Sequence, residues 1–220
     1  MRSENSELGL TFLEEARRRQ IIDCTIDVLA EDGYSRTTLA RIAQRAKVSK
    51  SVIVYHFGTK DEVLLAVAEE VFTRATEAVG PRVAAETTAS GKLRTYLQAR
   101  VAFLATQRAH MLALIEIWMN LRDEHGQLRF GEADAVDTVD AIEQILRAGQ
   151  KSHEFGSFDP AVMSMAVRQA VDGVLLQLRA HPDLDLDHYA KELVALFERA
   201  TAATSRTTTP ITSSTRKGRR

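Results

Sequence analysis

The chain has 220 residues, 29 basic against 30 acidic side chains, a formal net charge of −1, 45% hydrophobic residues and one cysteine. A chain of this size can bury a core without staples, and its near-zero charge gives no global attraction to nucleic acid, so any such signal must be local. The lone Cys24 excludes an intrachain disulfide framework and fits a reducing cytoplasm, and no run approaches the roughly 18 apolar residues of a membrane span. Met1 to Leu10 carries Glu4 and Glu7 and lacks the basic-then-apolar order of a signal peptide.

The elements read as helices from end to end, with no period-2 run that asks for a strand and no internal repeat. A first helix is expected from Thr11 to Glu31, with Ile22, Ile26 and Leu29 on one face, Cys24 as a packing thiol and Gly33 as the left-handed terminator. Short helices follow from Thr38 to Ala46 and from Lys50 to His56, the latter with Ser49 as N-cap. Thr59-Lys60-Asp61-Glu62 is a capping box that opens a long helix ending near Gly80-Pro81. Further helices are expected over Gly91–Arg108, His110–Glu124 and Glu132–Gln150. Asp159-Pro160 starts another, to Arg179, and the last runs from Asp187 to Ala203. The prolines 81, 160, 182 and 210 stand where helices would start or stop. Of the last 20 residues, 10 are Ser or Thr and 5 are basic, so residues 204–220 are expected to be disordered.

One local signal stands out. The 28 residues from Gly33 to Lys60 carry six basic side chains (Arg36, Arg41, Arg45, Lys47, Lys50 and Lys60) and no acid. The run coincides with two short helices and a tight turn. Ala43 is small where crossing helices approach, and Val48 and Ile53 are apolar where the pair closes on the first helix. That is the pattern of a helix-turn-helix between Thr37 and Phe57, whose second helix lies in the DNA major groove.

The stretch from Arg18 to Phe72 resembles the DNA-binding domain of the tetracycline-repressor (TetR) family. The likeness is carried by Ile22 to Leu29, Gly33-Tyr34, Thr37-Thr38, Ile42-Ala43, Ala46 to Ser49, Tyr55-His56-Phe57 and Lys60. It covers about a quarter of the chain and implies a dimer, a palindromic operator and repression relieved by a small molecule. Two positions depart from the family: Lys47 stands where it usually has a turn glycine, and Val54 where it usually has a backbone-contacting tyrosine, so that contact is not carried over. Thr38 and Ser49, at helix starts, are expected to meet phosphate, with Lys47 and Lys60 beside them. Lys50, Ser51 and Val52 are expected to reach base edges, with Tyr55 and His56 as further DNA candidates. Arg17, Arg18 and Arg19 either reach adjacent phosphates or are ordinary exposed charges; Phe57 belongs to the core.

In the larger half, the helix from Pro160 to Arg179 is apolar around most of its circumference, with a polar stripe of Ser164, Arg168, Asp172 and Arg179. Such a helix must be covered on two sides. With the last helix it suits a four-helix bundle made with a second copy, through Ala166, Ala170, Gly173, Leu193 and Phe197. In the helix from Gly91 to Arg108, Arg100 and Gln107 fall inside an apolar stripe that holds Tyr96 and Phe103. A buried guanidinium must be paired or meet a ligand. Arg100 either anchors an acidic effector, in a pocket with Tyr96, Phe103, Gln107, Trp118 and Gln169, or pairs internally with a carboxylate such as Glu116.

The six histidines show no i,i+4 pair, and no metal-site spacing, phosphate loop or nucleophile elbow is present, so no enzyme, cofactor or metal is expected. The reading is an all-α chain of about nine helices: a three-helix DNA-binding domain over residues 1–58 and a helical effector-binding and dimerisation domain over 59–203. Its expected partners are double-stranded DNA, a second copy and an unidentified small molecule, with no membrane. The alternatives are an activator, a ligand-independent regulator, or a helical scaffold with little DNA affinity.

Overall fold

Five of the helices start where a short polar side chain accepts a free N–H of the first turn. A computed structural model describes residues 2–130, 136–181 and 183–203. Among these it has nine α-helices: α1 (Arg2–Asp32), α2 (Leu39–Ala46), α3 (Lys50–Phe57), α4 (Lys60–Ala84), α5 (Ala89–Thr106), α6 (Arg108–Asn120), α7 (Val136–Lys151), α8 (Pro160–Ala180) and α9 (Leu186–Thr201). Thr38, Thr88, Asp159 and Asp185 each accept a backbone N–H at the start of α2, α5, α8 and α9. The Thr59–Glu62 capping box is complete in both directions. Gly33 ends α1 at φ 78°, and a single 3-10 turn, Tyr34–Arg36, leads to α2. The tail 204–220, Pro182, Pro210 and the expected helix start at Glu132 lie outside the described residues.

The boundaries differ from expectation in three places. α1 already begins at Arg2. α4 runs through Pro81 to Ala84; near the helix end the ring removes only one ladder bond, and Val83 beyond it packs on the core. α6 stops at Asn120 because Asp123 accepts the N–H groups of His125 and Gln127, closing a small hairpin in which Arg129 N–H donates to Leu121 O.

α5 is the central helix, packed against α4, α7, α8 and α9, and Leu93, Tyr96, Leu97, Phe103 and Leu104 are all buried on it. α1 packs against α2, α4 and α6, so the small N-terminal bundle sits directly on the larger one. α8 carries the main surprise. Two residues of its polar stripe point inward: Ser164 is fully buried and the Arg168 side chain is 12% exposed, whereas Val162 (68%), Met165 (42%) and Leu176 (56%) face outward. The inward charge is tolerated because Arg168 Nε donates to Asp172 Oδ2 one turn on, at 3.1 Å, and Ser164 bonds to Ala161 O.

Candidate nucleic-acid interface

α2 and α3 cross through a turn made of Lys47, Val48 and Ser49. Ile42, Ala43 and Ala46 of α2 and Ile53 and Phe57 of α3 are buried in the N-terminal bundle, where α2 packs on α1 and α3 packs on α2 and α4, which leaves the opposite side of α3 bare. Lys47 takes the left-handed conformation, φ 54° and ψ 42°, with its N–H directed to Ala43 O and Gln44 O. Lys50, Ser51, Val54 and Tyr55 form the outward face of α3. Val52, expected to reach a thymine methyl, is half-buried and packs on the core, whereas Val54 lies on the exposed face. Ser49 and Ser51 share a hydroxyl–hydroxyl bond of 2.7 Å rather than capping α3, and the Thr38 hydroxyl accepts Arg41 N–H. Tyr55 is exposed and donates to Glu14 at 3.1 Å; the His56 ring stands edge-on to it at 5.0 Å.

The acid-free stretch is neutralised in space by α1. Arg41 donates to Asp32 at 2.7 Å, and Arg45 binds Glu31 and Asp27. Hydrogen bonds from Arg41 and Arg45 hold the Asp32 and Glu31 carboxyls below their ordinary range, and the same bonds keep Arg45 firmly protonated. Arg36 bonds to Asp32 O, and Arg18 caps α3 through His56 O while lying over the Phe57 ring. Lys60, expected at a flanking phosphate, instead donates to Tyr34 O at 3.2 Å and lies 4.1 Å from the centre of the Tyr34 ring; burial lowers its pKa. Of the six cations in the stretch, Lys47 and Lys50 remain exposed on the face of α3 and its turn.

The sequence profile described as bacterial regulatory proteins, tetR family, matches residues 21–67, the segment that builds this face. The chain is 33% identical over 107 residues to the HTH-type transcriptional regulator BetI of Paraburkholderia xenovorans, covering 48% of this chain and 55% of that one. It is 44% identical over 59 residues to BetI of Burkholderia thailandensis, covering 27% and 30%. It thus spans at most about half the length of these relatives. The fold extends the likeness: the fatty acid degradation regulator FadR of Bacillus halodurans superposes with a TM-score of 0.72 at 21% identity, over 83% of this chain and 94% of that one. AibR, solved with isovaleryl coenzyme A and operator DNA, superposes at 0.65 and 20% identity, over 82% and 97%. Residues 21–67 are thus similar to the DNA-binding segment of the tetR family of bacterial regulatory proteins, and the fold as a whole is similar to solved regulators.

Beyond the matched segment, the chain joins its two halves through polar contacts that sequence patterning did not reveal. Glu116 on α6 accepts the Tyr34 N–H at 2.9 Å. Arg74 on α4 binds Asp23 on α1, Glu70 on its own helix and His110 on α6. Of the expected pocket residues, Tyr96 is buried beside Arg100, Arg168 and Asp172, and Trp118 lies 5.9 Å below the Arg168 guanidinium. Phe103 is buried on α5, and Gln107 forms the one-residue break between α5 and α6. Gln169 is exposed on the outer face of α8, near Met165, and does not join the others.

The expected dimer residues also divide. Leu193 and Phe197 are buried within the chain, where α9 packs on α5, and are not offered to a second copy. Ala166 is exposed; Ala170 and Gly173 are half-buried on α8, and no atom lies within 4 Å of where a Gly173 side chain would project.

Proposed function

We propose that this chain is a homodimeric repressor that binds a palindromic operator in the cytoplasm and is released by a small molecule. The observation that carries it is the bare face of α3: Lys50, Ser51, Val54 and Tyr55 point outward on a helix anchored by buried Ile53 and Phe57, with Lys47 at its entry. Lys and Ser reach base edges and phosphates, and Val54 suits a thymine methyl. The outward apolar residues of α8, Val162, Met165 and Leu176, suit a two-fold partner. A two-fold dimer that reads a palindrome must hold its two recognition helices about 34 Å apart, one turn of B-DNA.

Release would run through α6. A ligand seated between α5, α6 and α8 shifts α6, and Glu116 carries the shift to Tyr34 while Arg74 carries it to α1. AibR, solved with both an acyl coenzyme A and operator DNA, supports this ligand-responsive reading. The test is selection of bound sequences from a random DNA library. An inverted repeat with half-sites about 10 base pairs apart, centre to centre, is expected. Recovery of unrelated sequences, or none, would overturn the proposal.

A further inference from the structure

We propose that Arg100, between α5, α6 and α8, is the head-group anchor for an amphiphile with an anionic oxygen head and an apolar body. This rests on the ligand-responsive reading above and names the ligand class. Arg100 sits on the most enclosed helix of the chain, flanked by buried Leu93, Tyr96, Leu97 and Leu104. Arg100 as a whole is half-buried, and its Nε is fully buried with no hydrogen-bond partner. The nearby acid, Asp172, is engaged by Arg168 at 3.1 Å. Around the Tyr96 ring there are thus two guanidinium groups, Arg100 and Arg168, and one carboxylate, Asp172.

A buried donor without an acceptor is costly, and an uncompensated charge in a poorly solvated site is more so. Natural cores keep such a group when something else completes it. A guanidinium offers a planar fork of N–H donors, which matches the two oxygens of a carboxylate or phosphate. The neighbouring wall is aromatic: Trp118 stands edge-on to Phe72 at 5.9 Å and tilted to Phe130 at 6.1 Å. That wall suits the apolar body, and the single excess positive charge suits a monoanionic head.

Trp118 is the chain's one tryptophan, so its emission reads this cluster with no DNA present. The full chain is titrated with decanoate, decyl phosphate and decanol, each below its aggregation threshold. Decanoate is expected to give a saturable change and to bind at least roughly 10-fold tighter than decanol, the gain from one charge-assisted hydrogen bond. Decyl phosphate distinguishes a phosphate-preferring site from a carboxylate-preferring one. Arg100→Met should bring decanoate affinity down to that of decanol, leaving decanol binding and the melting temperature unchanged or the latter raised. Arg100→Lys, which keeps the charge but lacks the Nε–H, should recover only part of the loss. Equal binding of decanol and both anions by the natural chain, or undiminished decanoate binding by Arg100→Met and Arg100→Lys, overturns the anchor. Operator release is measured separately: decanoate that binds without releasing DNA refutes the ligand-responsive reading and leaves the anchor standing.

Discussion

Lys47→Gly separates the backbone cost of the turn from its role at DNA. Lys47 holds φ 54°, where an L-residue's Cβ crowds the following carbonyl at a cost of roughly 1–2 kcal/mol. Glycine removes that clash but loses about 0.5–1 kcal/mol of chain entropy on folding. The main-chain bonds of the turn, Lys47 N–H to Gln44 O and Val48 N–H to Ala43 O, need no side chain and are kept. The midpoints of the two ranges leave a net gain of about 0.75 kcal/mol, which at this chain length raises the melting temperature by roughly 1.5–3 °C. Scanning calorimetry reads it. Fluorescence anisotropy with operator DNA should move the opposite way, because each protomer loses one phosphate contact. Two contacts per dimer reduce the salt slope of log K by roughly 1.8. A melting temperature that stays level or falls would refute the strain argument, and an unchanged salt slope would remove Lys47 from the phosphate.

With Arg41 and Arg45 tied to α1, we expect about four to six phosphates neutralised per dimer and a salt slope of roughly −4 to −5, read by anisotropy across a salt series; a slope steeper than about −8 would mean that those pairs open on DNA. Leu176→Asp should give a folded monomer by light scattering and circular dichroism, whereas Phe197→Asp should unfold the chain because that site is closed by α5; a dimeric Leu176→Asp would place the interface elsewhere. Burial, then Arg74, lowers the His110 pKa against the partial opposition of Asp23, Glu70 and Asp27. The unfolded chain therefore takes up a proton near pH 6.5 that the folded chain refuses, so stability should fall as pH drops through 6.5 towards the folded value; His110→Gln should flatten that slope in thermal melts, and an equal slope would exonerate His110. Glu116→Ala should leave DNA affinity within a few-fold but weaken the effect of effector on it, and full release by effector in that variant would show that α6 does not act through Tyr34.

What the sequence disclosed follows the range of the interaction. Caps and turns are local, so Thr38, the Thr59–Glu62 box and Asp159 were legible, and so was the left-handed strain at Lys47. The acid-free run from Gly33 to Lys60 was legible as a pattern but not as a potential: Asp27, Glu31 and Asp32 lie just outside it in sequence and directly against it in space. Lys60 was assigned to DNA because position along the chain cannot reveal that Tyr34 lies beneath it. In both cases long side chains chose partners from another helix, and periodicity within one helix carries no record of that.

α8 shows the same limit with the opposite consequence. Its two faces are nearly equal in apolar content, so patterning showed that both needed cover without saying which faced inward. The packing resolves this through Arg168 and Asp172: they neutralise each other along the helix, so their face can be buried, and Val162, Met165 and Leu176 are left outside. Asp172 is engaged by Arg168, and the Nε of Arg100 on α5 is left without an acceptor. One orientation of α8 thus sets two features at once, an outward apolar face suited to a second copy and an inward cationic site suited to an anion. A ligand that draws Arg168 away from Asp172 would act on the same helix that carries the outward face, which gives effector binding a direct mechanical route to the spacing of two recognition helices.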